Sequence, residues 1–254
     1  MALMLDERRL AMLAEIGIRW HGAVEAAPDA PAAPAHFATP TSDERVPRAP
    51  AAPAALAPLA VAPRPTGVEL MQWEELGLTV AACRACKLCG TRRNTVFGVG
   101  DPHADWLIVG EAPGEHEDLQ GEPFVGQAGQ LLDNMLRALG LSREQNVYIA
   151  NVLKCRPPAN RNPEPDEVAQ CEPFLRRQVE LLQPKVIVAM GRFAVESLLG
   201  TTDAIGKLRG QKHDYAGVPV VVTYHPAYLL RNLADKAKAW ADLCLAREIA
   251  AQAA

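Results

Sequence analysis

The sequence is poor in aromatic residues and has no long apolar segment. Phe, Trp and Tyr make up 5% of its 254 residues, and no apolar run approaches the ~20 residues that a membrane helix needs. Residues 1–9 mix acids and bases and lack the apolar stretch of a secretory signal. These absences argue against a membrane partner and against secretion, so we expect a cytoplasmic protein.

A strong net charge is also absent. The chain has 26 Lys and Arg against 30 Asp and Glu, which gives a net charge of −4. No global charge therefore indicates a nucleic-acid partner, and a basic surface would have to be local. In a reducing compartment the six cysteines are more typical of metal ligands or buried thiols than of a disulfide framework.

Composition divides the chain into three parts. Residues 23–66 contain 16 Ala and 10 Pro, and such frequent prolines are incompatible with helix or sheet interiors, so this segment is predicted to be a disordered linker. Residues 1–22 carry Leu, Met and Ile at helical spacing and predict one short amphipathic helix. That helix either docks an unknown partner or is a dispensable appendage. Residues 67–254 are predicted to form the folded domain.

The predicted domain alternates between strands and helices. Short apolar runs predict strands at 106–109, 147–150, 186–189 and 218–223, and helical patterns cover 128–139, 165–182, 193–199 and 234–251. Continuous apolar strands between helices indicate a parallel sheet that is covered on both faces. We therefore predict an α/β fold, a three-layer α/β/α sandwich with a central, mainly parallel four-stranded sheet.

The cysteines form two groups in the sequence. Cys83, Cys86 and Cys89 follow C-x2-C-x2-C spacing, and fifteen residues separate Cys155 from Cys171. Four thiolates from two such groups can converge on one metal centre. A structural zinc site and a [4Fe–4S] cluster use the same kind of ligands. The spacing alone leaves this choice open, and it leaves one thiol of the first group surplus.

The loop after the first predicted strand is rich in glycine and in acidic residues. Residues 110–118 lack both the G-x-G-x-x-G fingerprint and the Lys-Ser/Thr of a P-loop. The acids make this a poor phosphate site and favour a role in organising water or in general-base chemistry. Within the loop, Glu115, His116 and Asp118 are interpreted as solvated. Phe124 follows in a Gly/Pro loop, where it is either a core anchor or a platform for a planar ligand.

Two further polar side chains follow predicted strands. Asn151 follows the second strand, and an amide there can donate and accept in one plane, which is what reading a base edge requires. His225 follows the last strand, and Pro226 fixes it in a turn. Because ligands bind at the carboxyl ends of parallel strands, these converging loops favour a catalytic role for His225.

Together these residues carry a family resemblance. The chain from Cys83 to Arg231 resembles the family-four uracil-DNA glycosylases, the iron–sulfur branch of the uracil-DNA glycosylase superfamily. The matching segments are 110–132, 148–163 and 225–231, together with the two cysteine groups. The resemblance spans 68–250 and leaves the first 66 residues uncovered.

The resemblance implies a DNA repair enzyme whose catalytic domain is 67–254. It would flip uracil out of single- or double-stranded DNA and hydrolyse the N-glycosidic bond, leaving an abasic site, as in base excision repair of deaminated cytosine. We expect the protein to be a monomer. The resemblance also implies a [4Fe–4S] cluster, with Cys89 as the surplus thiol. The implied cluster ligands are Cys83, Cys86, Cys155 and Cys171.

The resemblance further implies roles in the pocket. Phe124 would stack on the extruded uracil, Asn151 would bind its Watson–Crick edge, and His225 would face the carbonyl that becomes anionic. Ala112 falls where other branches of the superfamily place a water-activating Asp, which leaves the identity of the general base open. The implied catalytic residues are Glu111, Glu117 and His225, and the implied substrate-binding residues are Ala112, Phe124 and Asn151.

One alternative function belongs to a different class. A non-enzymatic iron–sulfur or zinc module that binds nucleic acid would explain the cysteines and the local basic clusters, but not Asn151 and His225 at strand ends. The basic residues are expected near the mouth of the pocket, where they would contact phosphates. They are Arg84, Lys87, Arg92, Arg93, Lys154, Arg156, Arg161, Lys207, Arg209 and Lys212.

Overall fold

The structure is a computed structural model, and it describes residues 61–253. The predicted N-terminal helix at 1–22 and most of the predicted linker, 23–60, lie outside the described residues. The last six residues of the predicted linker, 61–66, form no helix or strand. Two hydrogen bonds join them to the domain: Ala62 N–H donates to the carbonyl of Arg84 (3.0 Å), and the Arg64 guanidinium donates to the carbonyl of Ala169 (3.3 Å).

A mixed sheet forms the centre of the domain. Its strands are β1 (Val99–Gly100), β2 (Trp106–Gly110), β3 (Val147–Asn151), β4 (Val186–Met190), β5 (Lys212–Tyr215) and β6 (Val218–Thr223). Their order across the sheet is β1-β3-β2-β4-β6-β5. The four central strands β3, β2, β4 and β6 run parallel, and the two edge strands pair antiparallel to them.

The predicted strand count of four is wrong, because the described residues form six strands. The four predicted strands are the parallel centre, whose apolar residues are almost all buried. The two missed strands are edges, and neither shows the apolar run that reveals a central strand. β1 is only two residues long, and β5 has the polar, alternately exposed sequence Lys-His-Asp-Tyr.

Helices connect the strands of the described domain. They are α1 (Trp73–Ala82), α2 (Glu115–Gln120), α3 (Gln127–Ala138), α4 (Pro165–Leu182), α5 (Arg192–Leu199), α6 (Ile205–Leu208), α7 (Pro226–Leu229) and α8 (Lys236–Gln252). The four predicted helices correspond to α3, α4, α5 and α8 within two residues at each end. The missed helices α2, α6 and α7 have six residues or fewer, and α1 buries only Leu76 and Val80. Within 61–253, no helix has the length and apolar character needed to cross a membrane.

Helices cover both faces of the sheet because side chains along a strand alternate between faces. In β2, Leu107 and Val109 belong to the apolar cluster that contains the buried side chains of α4 and α5. Trp106 and Ile108 belong to the opposite cluster, which contains those of α3 and α8. A third cluster packs α1 against α4 and the segment after β3, next to the cysteines. This layering leaves the carboxyl ends of the parallel strands open for a site.

Candidate functional site

A pocket of about 500 Å³ lies at the carboxyl ends of the parallel strands. Loops that follow β2, β3 and β6 supply its walls, and Tyr228 and Arg231 extend it on one side. Tyr228 lies in the matching segment 225–231, but no sequence signal marked it as a site residue. All six predicted site residues outside the cysteine groups line this pocket: Glu111, Ala112, Glu117, Phe124, Asn151 and His225.

Phe124 is both a core residue and a wall of the pocket. Only 5% of it is exposed, and it packs in the cluster that contains Ile108 and Leu132. Its ring stacks on that of His225, with centroids 5.3 Å apart and an angle of 26° between the planes. The backbone has φ 56°, a left-handed value that is uncommon outside glycine. The loop therefore holds the backbone of Phe124 in a conformation that the residue alone does not favour.

Gly110 allows Asn151 and Phe124 to lie side by side. Gly110 ends β2 opposite Asn151, which ends β3. A Cβ at position 110 would fall 2.4 Å from Asn151 Oδ1 and 2.6 Å from Phe124 Cζ, so a larger residue would displace both. Asn151 is 2% exposed, and its side-chain amide makes no hydrogen bond to any other residue in 61–253. The amide is thus available to a ligand in the pocket.

His225 is held in one tautomer by the backbone. It caps α7, and its Nδ1 accepts a hydrogen bond from the N–H of Ala227 (3.1 Å). Burial lowers the pKa of His225 to about 4, so the ring is neutral near pH ~7. Because Nδ1 is the acceptor, the single ring proton lies on Nε2. The ring therefore offers the pocket a neutral N–H donor.

Glu111 and Glu117 lie in different environments. Burial raises the pKa of Glu111 to about 7, against the opposing charge of Arg192. In contrast, the carboxylate of Glu117 accepts backbone N–H groups from Gly114 (3.1 Å), Val125 (3.0 Å) and Gly126 (3.4 Å). Glu111 thus has a carboxylate poised to take up a proton, and Glu117 ties α2 to the loop that carries Phe124.

The prediction that Asp118 is solvated is wrong. Its side chain is buried and accepts the backbone N–H groups of Arg93 (2.8 Å) and Asn94 (3.3 Å). It therefore fixes the segment after the first cysteine group to α2. Glu115 and His116 are exposed, as predicted.

The two cysteine groups meet at one cavity between α1 and α4. Cys83, Cys86, Cys89, Cys155 and Cys171 all line it. Burial raises the pKa of Cys155 to about 11 and that of Cys171 to about 12. The Cys155 Sγ accepts a hydrogen bond from the guanidinium of Arg92 (2.9 Å), which follows the first cysteine group in the chain. Among residues 61–253, no three His, Cys, Asp or Glu side chains are arranged to hold a single metal ion.

Several basic residues that were expected at the mouth serve the interior instead. Lys154 is 1% exposed, so its expected place at the mouth is wrong. Its ammonium donates to the carbonyls of Asn151 (2.9 Å) and Phe97 (3.3 Å) and to Gln178 Oε1 (2.6 Å). Arg92 pairs with Cys155, and Arg209 pairs with Asp242. Arg161 does line the pocket, as expected, and its guanidinium also pairs with Glu167.

Comparison with known proteins identifies the family. The model of the uracil DNA glycosylase superfamily matches residues 97–244. Type-4 uracil-DNA glycosylases from Archaeoglobus fulgidus, Sulfurisphaera tokodaii and Thermotoga maritima are 48%, 46% and 47% identical over 159, 168 and 173 residues. These alignments cover 59%, 63% and 67% of this chain and 79%, 76% and 88% of the relatives. The chain therefore belongs to the uracil DNA glycosylase superfamily, and within it to the type-4 branch.

Proposed function

We propose that this chain removes uracil from DNA by hydrolysing the N-glycosidic bond of an extruded nucleotide, leaving an abasic site for base excision repair. The observation that carries this proposal is the pocket itself, in which a neutral imidazole donor, a buried amide without a partner in 61–253 and an aromatic ring meet. Membership of the type-4 branch supports the same reaction. A non-enzymatic binding module would have no use for such an enclosed combination of groups.

In this proposal Phe124 and Asn151 recognise the base. Extruding a nucleotide from the stack costs a few kcal/mol, and stacking on an aromatic ring returns about 1–3 kcal/mol. The amide of Asn151 donates and accepts in one plane, which matches the Watson–Crick edge of uracil. The small side chain of Ala112 leaves room for the base, and Phe124 with the 114–117 turn forms a wall against the 5-methyl group of thymine.

His225 stabilises the departing base. As the glycosidic bond breaks, negative charge develops on a uracil carbonyl oxygen. The Nε2–H of the neutral imidazole donates to that oxygen, and the bond strengthens as the charge grows. The Ala227 N–H holds the tautomer in place beforehand, so no reorganisation is needed at the moment of reaction.

Glu111 is the proposed general base. A carboxylate with a pKa near the working pH combines a useful ionised fraction with a strong pull on a water proton, and burial gives Glu111 such a pKa, about 7. Ala112 has no group that could activate water. Glu117 acts indirectly, because its oxygens are committed to three backbone N–H groups, and its negative charge favours positive charge on His225.

We further propose that Cys83, Cys86, Cys155 and Cys171 hold a [4Fe–4S] cluster. Five thiols around one cavity form an all-sulfur donor set, which suits iron–sulfur clusters. A structural zinc ion uses the same kind of thiolate ligands, and the similarity to type-4 uracil-DNA glycosylases, the iron–sulfur branch that the sequence resembles, favours the cluster. When bound, the cluster supplies a structural cross-link between the chain segments on either side of the cavity. Cys89 lines the cavity as the surplus thiol.

We also propose that the protein is a monomer and that it works in the cytoplasm. A single copy supplies the ring, the amide, the imidazole and the carboxylate that the proposed reaction uses, so the proposal requires no second copy. None of the six cysteines forms a disulfide, which suits a reducing compartment. Any role of the predicted helix at 1–22 in docking a partner lies outside the described residues.

The direct test is incubation with DNA that contains a single uracil, followed by alkali. We expect strand cleavage at the uracil position, because alkali cleaves only where an abasic site has formed. Oligonucleotides with thymine or cytosine at the same position are the matched controls. Binding without cleavage would contradict the enzymatic proposal and favour the binding module.

The pH profile tests Glu111. A base acts in its ionised form, so we expect the single-turnover rate to rise about tenfold per pH unit below about pH 7 and to level off above it. His225 is neutral throughout this range because burial lowers its pKa to about 4. Glu111→Gln should lower the rate and flatten the profile, and Glu115→Gln, at an exposed position at the start of α2, should leave both unchanged. A normal profile in Glu111→Gln would contradict the assignment.

A further inference from the structure

The turn that carries Phe124 is held from one side by an arginine outside the pocket. Arg143, in the loop between α3 and β3, donates through Nη1 to the carbonyl of Pro123 (3.1 Å) and through Nη2 to that of Phe124 (2.8 Å). Asp133 on α3 fixes the guanidinium, because its Oδ1 accepts from Nε (3.0 Å) and from Nη2 (2.8 Å). The planar guanidinium of Arg143 thus binds both carbonyl groups, those of Pro123 and Phe124.

The opposite side of the same turn is held by Glu117. Its carboxylate accepts the N–H groups of Val125 and Gly126, the next two residues. Gly129 lets α3 come close, since a Cβ there would lie 1.6 Å from the carbonyl oxygen of Phe124. A cation thus binds the carbonyls of residues 123 and 124. An anion binds the N–H groups of the next two residues, 125 and 126.

These contacts explain how Phe124 keeps a left-handed backbone. A non-glycine residue in that region is strained and persists only where its surroundings fix it. The hydrogen bonds of Arg143 and Glu117 fix the backbone of Phe124 in this conformation. Lysine could not replace arginine here, because a point charge cannot satisfy two carbonyls and a carboxylate in one plane.

We propose that Arg143, fixed by Asp133, is a positioning residue for base recognition: it holds the ring of Phe124 in the orientation on which the extruded uracil stacks. Arg143 is not among the residues that line the pocket, so it acts only through Phe124. The inference rests on the proposed function, since it specifies how the stacking surface of that function is kept in place.

A double-mutant cycle tests this inference on the full-length, cluster-containing protein. We expect Arg143→Ala to slow single-turnover uracil excision about 10–100-fold, the effect of losing two charge-assisted hydrogen bonds. In a Phe124→Ala background the same substitution should cost less than about twofold, because residues that act through one another are not additive. Arg143→Lys should recover little of the rate. Arg137→Ala, which removes an exposed arginine from α3, is the matched control and should keep the wild-type rate.

Binding measurements separate positioning from general damage. Arg143→Ala should weaken binding of uracil-containing DNA but not of DNA with an abasic site, which has no base to stack. Equal weakening of both, or a full additional loss in the Phe124→Ala background, would overturn the inference and leave the proposed function standing. If Phe124→Ala itself excises at the wild-type rate, both the stacking role and the inference fail. If Arg143→Ala does not fold, the same rate and binding comparisons are made with Arg143→Lys and Asp133→Asn.

Discussion

Replacing His225 by alanine is expected to slow single-turnover excision of uracil ~10²–10³-fold while leaving the affinity for uracil-containing DNA nearly unchanged. An interaction made only in the transition state contributes to the chemical step and little to ground-state binding. The uracil carbonyl oxygen becomes anionic only as the bond breaks, so the donor at Nε2 has its full effect at that point. Rapid-quench measurement of excision, together with equilibrium binding of the same oligonucleotide, provides both quantities.

The matched control for His225 is His103→Ala. His103 is exposed in the loop before β2 and does not line the pocket, so its loss should change neither rate nor affinity. The ring of His225 also stacks on Phe124, and His225→Phe would keep an aromatic ring but not the donor. If His225→Phe excised uracil at the wild-type rate, the residue would serve packing alone and the proposed chemistry would be wrong.

The second large effect concerns the cysteine cavity. The protein purified without oxygen should be brown, with broad visible absorption and about four iron atoms per chain. We expect Cys171→Ser to lose iron, colour and most of the soluble protein together, because Cys171 lies on α4, is 6% exposed and packs against the segment after β3. A site that cross-links buried segments contributes its binding free energy to folding.

Cys89→Ser is the control for the cysteine substitutions. Cys89 lines the same cavity but is the surplus thiol in the proposed ligand set, so this variant should keep iron, colour and solubility. Metal analysis by mass spectrometry and the visible spectrum decide the outcome. A colourless wild-type protein that carries one zinc would refute the cluster, and loss of iron in Cys89→Ser would refute the ligand assignment.

The central fold was predictable because its signals are local. Each parallel strand is a short apolar run, and the residues that follow these runs must meet at one edge of the sheet. That rule is enough to bring Glu111, Asn151 and His225 together in a single pocket. The edge strands β1 and β5 were missed because a two-residue strand and a polar one carry no such run.

The remaining differences depend on contacts between distant parts of the chain. Lys154 has the character of a surface lysine, and only Phe97, Asn151 and Gln178 together make its burial possible. Asp118 is buried because the N–H groups 24 and 25 residues earlier in the chain converge on it. Tertiary partners of this kind leave no periodic trace in a sequence.

The segment from Asn151 to Cys155 has a consequence for how the domain opens. No residue in this stretch is more than 5% exposed, and its two ends line the pocket at the strand ends and the cysteine cavity. The ammonium of Lys154 binds the carbonyl of Asn151, and the Lys154 N–H lies 3.4 Å from the Cys171 sulfur. Amide hydrogens at the two ends of this segment should therefore exchange with solvent as one cooperative unit, so that local unfolding at the cysteine cavity also disorders the Asn151 end.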